Sequence, residues 1–139
     1  MKRRSVLPAL ILLVLTATLL SACAGLRRSQ RLSDFQDTAM EYQHAIRWNN
    51  FKGAIGFLQH PAESLGGHEL NRLAQLRVTD YEISSQLPSA DGRSVDVSAV
   101  IEYVWLDQMV QRRIIDHQHW VYVQNLKRWQ LDGSLPQFN

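Results

Sequence analysis

The chain has 139 residues, a size that suits one small domain, and its single cysteine excludes an intramolecular disulfide. Its formal charge of +2 is unevenly distributed, because every acidic residue lies after Ser33. From Ser33 onward, nine Lys and Arg residues stand against 13 Asp and Glu residues. This acidic surplus argues against nucleic acid as a partner.

The N-terminus has the composition of a secretion signal. Residues 1–4 are basic after the initiator, and the apolar stretch from Val6 to Leu20 is too short to span a bilayer comfortably, since a spanning helix needs about 20 apolar residues. Small residues then lead to Cys23. The alternative interpretation is an ordinary secreted protein whose cysteine is not modified.

The segment Leu20-Ser21-Ala22-Cys23 resembles the lipobox of bacterial lipoproteins, with a matching residue type at each position. The resemblance implies removal of residues 1–22, attachment of diacylglycerol to the Cys23 sulfur, and N-acylation. Several acyl chains hold a protein permanently, since each buried CH₂ contributes about 0.8 kcal/mol. An aspartate after the cysteine would imply inner-membrane retention. Ala24 therefore implies the inner leaflet of a Gram-negative outer membrane, with the protein facing the periplasm.

Residues 23–32 are expected to be the lipidated cysteine and a tether. The nine residues from Ala24 to Leu32 reach at most about 30 Å at ~3.3 Å per residue. Two interpretations of the tether arginines stay open: they rest on anionic headgroups, or they belong to a solvated linker. These arginines are Arg27, Arg28 and Arg31.

Residues 33–139 form the predicted domain. Ser33 and Gln36 match a capping box, which predicts that a long helix begins near Ser33. Apolar side chains then recur on one helical face, at Phe35, Ala39, Tyr42 and Ile46. A second helical piece from Phe51 to Leu58 is predicted to end before Pro61. Helical turns are expected near Leu70.

The apolar period changes to two near Val78, which predicts antiparallel strands. The strands are predicted over residues 78–86, 95–105, 110–123 and 128–131. Helices followed by consecutive strands predict an α+β fold, with N-terminal helices packed on a curved antiparallel sheet of about four strands. The predicted core contains Phe35, Tyr42, Ile46, Val97, Ile101 and Trp129. Trp105 and Trp120 are also expected inside, and Trp48 is expected to pack where the two helices meet.

This order of elements, ending in the segment 128–136, is similar to the cone-shaped NTF2-like superfamily, also described as SnoaL-like or cystatin-like. The pattern Ala45-Ile46-Arg47-Trp48 through Ala54 and Leu58 is similar to its first two helices. In family enzymes such as steroid isomerases, an acid and a tyrosine act inside the cone. The residues of these types that are candidates to line a pocket are Tyr42, Tyr81, Tyr103 and Asp116. The alternative is that the tyrosines are core residues with hydroxyls at an edge.

His117 and His119 lie two residues apart on a predicted strand, so they share a face. Two imidazoles are too few for zinc, because a structural site takes four ligands and a catalytic site usually three plus water. No third ligand stands at a convincing spacing. We predict that the chain binds no metal tightly and needs no cofactor, and that both histidines form hydrogen bonds at the sheet surface.

Two functions stay open. The first is a non-enzymatic, lipid-anchored module that binds envelope proteins or supports an envelope assembly, and the lack of a catalytic signature favours it. The second is a pocket protein that binds a small apolar ligand or, as an isomerase or hydratase, transforms it. A deep cavity with converging polar groups favours the second function. A filled interior with exposed apolar surface favours the first.

Overall fold

The computed structural model describes the backbone of residues 7–61 and 66–139, and the side chains of residues 25–61 and 66–139. Its helices are α1 (Leu7–Arg47), α2 (Phe51–Ala54), a short 3₁₀ helix (Ile55–Phe57) and α3 (Gly67–Leu73). Its strands are β1 (Leu76–Pro88), β2 (Ser94–Trp105), β3 (Gln111–Val123) and β4 (Arg128–Leu131). Over these ranges, the three α-helices pack on one curved, open antiparallel sheet in the order β1-β2-β3-β4. The predicted α+β fold is therefore confirmed.

Helix α1 is longer than predicted. It runs without interruption from Leu7 to Arg47, so the prediction that it begins near Ser33 is wrong. A capping box stabilises a helix end but does not create one. Residues 24–32, predicted as a tether, are helical because they are mostly Ala, Leu, Arg and Gln, with Gly25 as the weakest helix former. No helix in the described part of the chain combines the length and the apolarity that crossing a bilayer requires.

The backbone of Cys23 lies within α1, but its side chain is outside the described residues, as are residues 1–6 altogether. The predicted lipid attachment and the basic start of the predicted signal peptide therefore stay predictions.

Helix α1 covers the outer edge of β1 with polar side chains. The Gln43 amide donates to the Tyr81 carbonyl at 3.0 Å, and the Arg47 guanidinium donates to the Val78 carbonyl at 2.8 Å. Just beyond α1, the Asn49 side-chain oxygen accepts from the Val78 amide at 3.1 Å. These contacts use backbone groups that an uncovered edge strand leaves free. They also fix α1 along the length of the sheet.

The opposite edge of the sheet is less covered. Strand β4 pairs only with residues 120–123 of β3, so residues 111–119 lie at an edge in the described part of the chain. Charged side chains at Arg112, Arg113 and Asp116 stand along this stretch. Such charges oppose the addition of another strand.

Aromatic side chains fill the concave face of the sheet. Trp120 is fully buried and makes T-shaped contacts with three other rings. The distances between ring centroids are 5.2 Å to Tyr42, 5.9 Å to Phe35 and 6.4 Å to Phe57. The predicted core is confirmed, since each of its six members is buried: Phe35, Tyr42, Ile46, Val97, Ile101 and Trp129. The space between α1 and the sheet is therefore occupied by the chain's own rings.

The tryptophans divide between the core and the surface. Trp105, Trp120 and Trp129 are buried, as predicted. Trp48 is 70% exposed, so the prediction that it packs between two helices is wrong. The chain turns at Asn49, whose φ of 57° ends α1, and the Trp48 ring is left on the outer side, 5.9 Å from the His44 ring.

Ile101 tests the assignment of the strand faces. It is fully buried on β2, opposite Tyr81 and Ile114. We expect Ile101→Ala to lower the free energy of unfolding by about 2–5 kcal/mol, measured by urea denaturation. Ile115→Ala, at a site that is 63% exposed on β3, should change it by less than about 0.5 kcal/mol. A loss below about 1 kcal/mol for Ile101→Ala contradicts this packing.

Candidate functional site

A buried polar cluster lies between β1, β3 and α1. The Gln118 amide nitrogen donates to the Tyr81 hydroxyl at 2.7 Å and to Asp116 Oδ2 at 2.7 Å, and the Gln118 amide oxygen accepts from Trp120 Nε1 at 2.9 Å. The buried Tyr42 hydroxyl has no hydrogen-bond partner among the described residues. Three of the four candidate pocket residues are thus near Gln118, which the sequence did not single out.

Burial controls the proton affinities in this cluster. It raises the pKa of the Tyr42 hydroxyl well above its usual value, and the negative charge of Asp116 raises it further. Burial also raises the pKa of Tyr81 and of Asp116, while the hydrogen bond from Gln118 acts against burial at both groups. Neither tyrosine is therefore prepared to act as a base near neutral pH.

Tyr103 does not join the cluster. Its hydroxyl donates to the Asn139 carbonyl oxygen at 2.9 Å and accepts from the Asn139 amide at 3.1 Å. Trp105 Nε1 and an Arg112 guanidinium nitrogen donate to the same Asn139 oxygen, at 3.0 Å and 2.8 Å. Tyr103 thus fixes the C-terminal segment. All three candidate tyrosines are buried, which supports the interpretation that they are core residues.

The Tyr42 end of the cluster is covered by the rings of Phe57 and Trp120, while Asp116 is half-buried near the edge of β3. Catalysis on a ligand requires a cavity that admits it. Surface grooves of about 330, 360, 460 and 560 Å³ lie elsewhere on the described residues, and none of these is lined by Tyr42, Tyr81 or Asp116. The cluster therefore has the composition of an acid–base site, but none of these grooves reaches it.

Asp116 should make the stability of the fold depend on pH. Because burial raises its pKa above the ordinary value of 3.8, the folded chain binds this proton more tightly than the unfolded chain. Stability therefore falls as pH rises through the interval between the two pKa values. We expect Asp116→Asn to increase the free energy of unfolding at pH 7, where most substitutions lower it by about 1 kcal/mol. The increase should vanish as pH falls below about 3.8, where the wild-type carboxyl is also neutral.

Urea denaturation across this pH range measures the effect. Asp107→Asn, on the exposed turn between β2 and β3, is the matched control and should change stability by less than about 0.5 kcal/mol at either pH. A loss of stability in Asp116→Asn at pH 7, or a gain that persists in acid, contradicts the assignment.

The two strand histidines make separate contacts on the exposed face of β3. His119 Nδ1 lies 2.6 Å from Asp96 Oδ1, and His117 Nδ1 lies 3.1 Å from the Ser98 hydroxyl. The predicted hydrogen bonding at the sheet surface is confirmed. Within the described ranges, no three His, Cys, Asp or Glu side chains come close enough to hold a metal ion. That the pair binds no metal stays a prediction, which zinc titration of the protein in a calorimeter tests.

A groove of about 330 Å³ lies at the C-terminal end of α1. It is called the distal groove here, and it is lined by Arg47, Trp48, Asn49, Ala74, Leu76, Arg77, Val78 and Leu106. Trp48 is 70% exposed, and Leu106 is 43% exposed. Among the described residues, no carboxylate lies within ion-pairing distance of either arginine. The groove thus combines apolar surface with two unpaired positive charges.

The apolar surface continues along the turn between β2 and β3. Met109 and Val110 follow Leu106 in this turn, and both are more than half exposed. Hairpin turns are normally polar. The three apolar residues in this turn therefore mark an unusual surface, and they could have been noticed in the sequence. Exposed apolar residues gathered at one end of a domain are typical of an interaction surface.

Neither a protein-family model nor a curated protein matches the chain. Among solved structures, it is similar to the intermembrane space region of the chloroplast protein ARC6. The likeness covers 70% of this chain and 92% of that chain, at 18% sequence identity and a TM-score of 0.34. At that level it supports no conclusion about function.

Proposed function

We propose that the chain is a non-enzymatic, protein-binding module of the bacterial cell envelope, held by a lipid on Cys23. In this proposal, residues 1–22 are removed and the mature protein faces the periplasm from the inner leaflet of the outer membrane. The lipobox resemblance supports the attachment. The observation that supports binding rather than catalysis is the distal groove, because it is open to solvent and joins apolar side chains to arginines, while none of the described grooves is lined by Asp116, Tyr42 or Tyr81.

The side chains that line the distal groove indicate what kind of partner it binds. Aromatic and arginine side chains carry much of the energy at protein interfaces. Trp48 and Leu106 offer apolar contact, and the guanidinium of Arg77 offers a partner for a carboxylate. We therefore expect an envelope protein that presents an apolar side chain beside an acidic one.

Helix α1 sets the height of the groove above the membrane. The helix continues unbroken from Cys23 to Arg47. At ~1.5 Å per residue, the 24 steps between these residues separate the lipid attachment and the groove by about 36 Å along the helix axis. An upright α1 therefore presents the groove away from the bilayer that holds the lipid.

A pocket protein for a small apolar ligand is the second candidate. The unpartnered Tyr42 hydroxyl next to Asp116 favours it. The rings that cover this hydroxyl argue against it, since the ligand would have to displace part of the core around Trp120.

Site-specific photocrosslinking in cells tests the binding function. A photoreactive phenylalanine analogue replaces Trp48, Leu106 or Leu87, the last of which is 65% exposed at the other end of β1. We expect one discrete adduct with an envelope protein from positions 48 and 106, and none from 87. Arg77→Glu should abolish the adduct, because it reverses the charge that faces the partner. Equal adducts from all three positions, or adducts insensitive to Arg77→Glu, contradict the proposal.

A further inference from the structure

The end of the domain next to Cys23 differs in charge from the rest. Six basic residues gather there, in the first turns of α1 after Cys23, in the turn between β1 and β2, and where the β3–β4 turn enters β4. They are called the basic end here: Arg27, Arg28, Arg31, Arg93, Lys127 and Arg128. The remainder of the domain is acidic, since it holds six other Lys and Arg residues, while all 13 Asp and Glu residues of the chain lie beyond Ser33. The positive charge is therefore concentrated near the predicted lipid.

Hydrogen bonds fasten α1 to the turn between β1 and β2 at this end. Arg28 Nε donates to the Ala90 carbonyl at 3.1 Å, and an Arg31 guanidinium nitrogen donates to the Asp91 carbonyl at 2.8 Å. On the other side, Trp129 Nε1 donates to the Arg31 carbonyl at 2.9 Å. The first turns of the mature chain are thus a fixed part of the domain rather than a free tether.

A groove of about 460 Å³ opens between α1 and the turn that joins β3 to β4. It is lined by Arg27, Gln30, Arg31, Asp34, Tyr122, Gln124 and Lys127. Three cations face one carboxylate, and two amide side chains provide further hydrogen-bond donors. The guanidinium of Arg31 lies 5.9 Å from the centre of the Tyr122 ring. This set of groups suits a phosphate anion.

Exposed leucines surround the basic end. Leu26 is 73% exposed on α1, Leu87 is 65% exposed near the end of β1, and Leu126 is 50% exposed between β3 and β4. Arg27 lies four residues from Cys23, or about 6 Å along the helix. Basic residues mixed with exposed apolar side chains are typical of surfaces that lie at the interface of an anionic bilayer.

We propose that the basic end rests on the bilayer that holds Cys23, and that its groove takes the phosphate of an anionic lipid headgroup. The lipid on Cys23 keeps the domain close to the bilayer, and the basic end fixes the orientation of the domain on it. The contact holds the domain at the membrane so that the distal groove points away from it. This inference rests on the proposed lipid attachment.

Spin labels on the lipidated chain test the inference. The chain is reconstituted into phosphatidylcholine vesicles, with or without phosphatidylglycerol, and carries a label at Leu126→Cys or, at the other end, at Met109→Cys. We expect phosphatidylglycerol to shield the label at position 126 from a water-soluble paramagnetic reagent and to leave position 109 accessible. About 1 M salt, where the Debye length is about 3 Å, should remove the shielding.

Charge reversal gives the matched comparison. Lys127→Glu with Arg128→Glu should lower the occupancy of the contact by about an order of magnitude or more. Lys52→Glu with Arg113→Glu makes the same change in net charge at exposed positions elsewhere, and should leave the shielding intact. Shielding that is equal with and without phosphatidylglycerol, or that both double variants lose equally, overturns the headgroup contact.

Failure of the attachment is a separate result. If the wild-type chain does not float with phosphatidylcholine vesicles, the lipid on Cys23 is absent, and this inference falls with it. If the chain floats but position 126 is as accessible as position 109 in phosphatidylglycerol vesicles, the attachment stands and the headgroup contact alone is overturned.

Discussion

Trp120→Ala is expected to lower the free energy of unfolding by about 3–5 kcal/mol. The indole is fully buried and is packed edge-on by Phe35, Tyr42 and Phe57. Its removal leaves a cavity, and it also deprives the Gln118 amide oxygen of its donor at 2.9 Å. Because small domains have a total stability of about 5–15 kcal/mol, the loss takes a large part of it.

Trp48→Ala is the matched control, because it removes the same atoms from a side chain that is 70% exposed. It should change stability by less than about 0.5 kcal/mol. Urea denaturation of both variants, followed by far-UV circular dichroism, measures the difference. Similar losses at the two positions contradict the division of the tryptophans between core and surface.

Cys23→Ser is expected to abolish the mature, membrane-held form of the protein. A serine oxygen does not form the thioether that, by the lipobox resemblance, precedes cleavage. The unprocessed precursor should therefore accumulate, as cell fractionation and immunoblotting measure. Ser21→Ala keeps a small residue in the same segment and should be processed normally. Mature-sized Cys23→Ser protein in the membrane fraction contradicts the attachment.

Periodicity predicted the sheet well, because it reflects burial directly. The alternation from Val95 to Trp105 on β2 places every second side chain in the core. Local sequence signals predicted the ends of helices and the placement of surface side chains less well. Ser33 and Gln36 matched a capping box inside a helix that simply continues. Trp48 was assigned to the interior from its residue type, although the turn at Asn49 directs it outward.

The candidate sites were only partly predictable. Tyr42, Tyr81 and Asp116 come from three elements, and it was the family resemblance rather than their spacing that brought them together. Gln118 was missed, although it alternates with Asp116 and Trp120 on the inward face of β3. The distal groove was missed because α1, the start of β1 and the β2–β3 turn build it jointly, and no single stretch contains its pattern.

The mass of the N-terminal peptide from protein purified out of bacterial membranes tests the lipid attachment most directly. A proteolytic digest is extracted into organic solvent and analysed by mass spectrometry. The predicted result is a peptide that begins at Cys23 and carries diacylglycerol on sulfur, with an acyl chain on nitrogen. A cleaved N-terminus with an unmodified Cys23 thiol would contradict the lipid-anchored module and the membrane contact of its basic end.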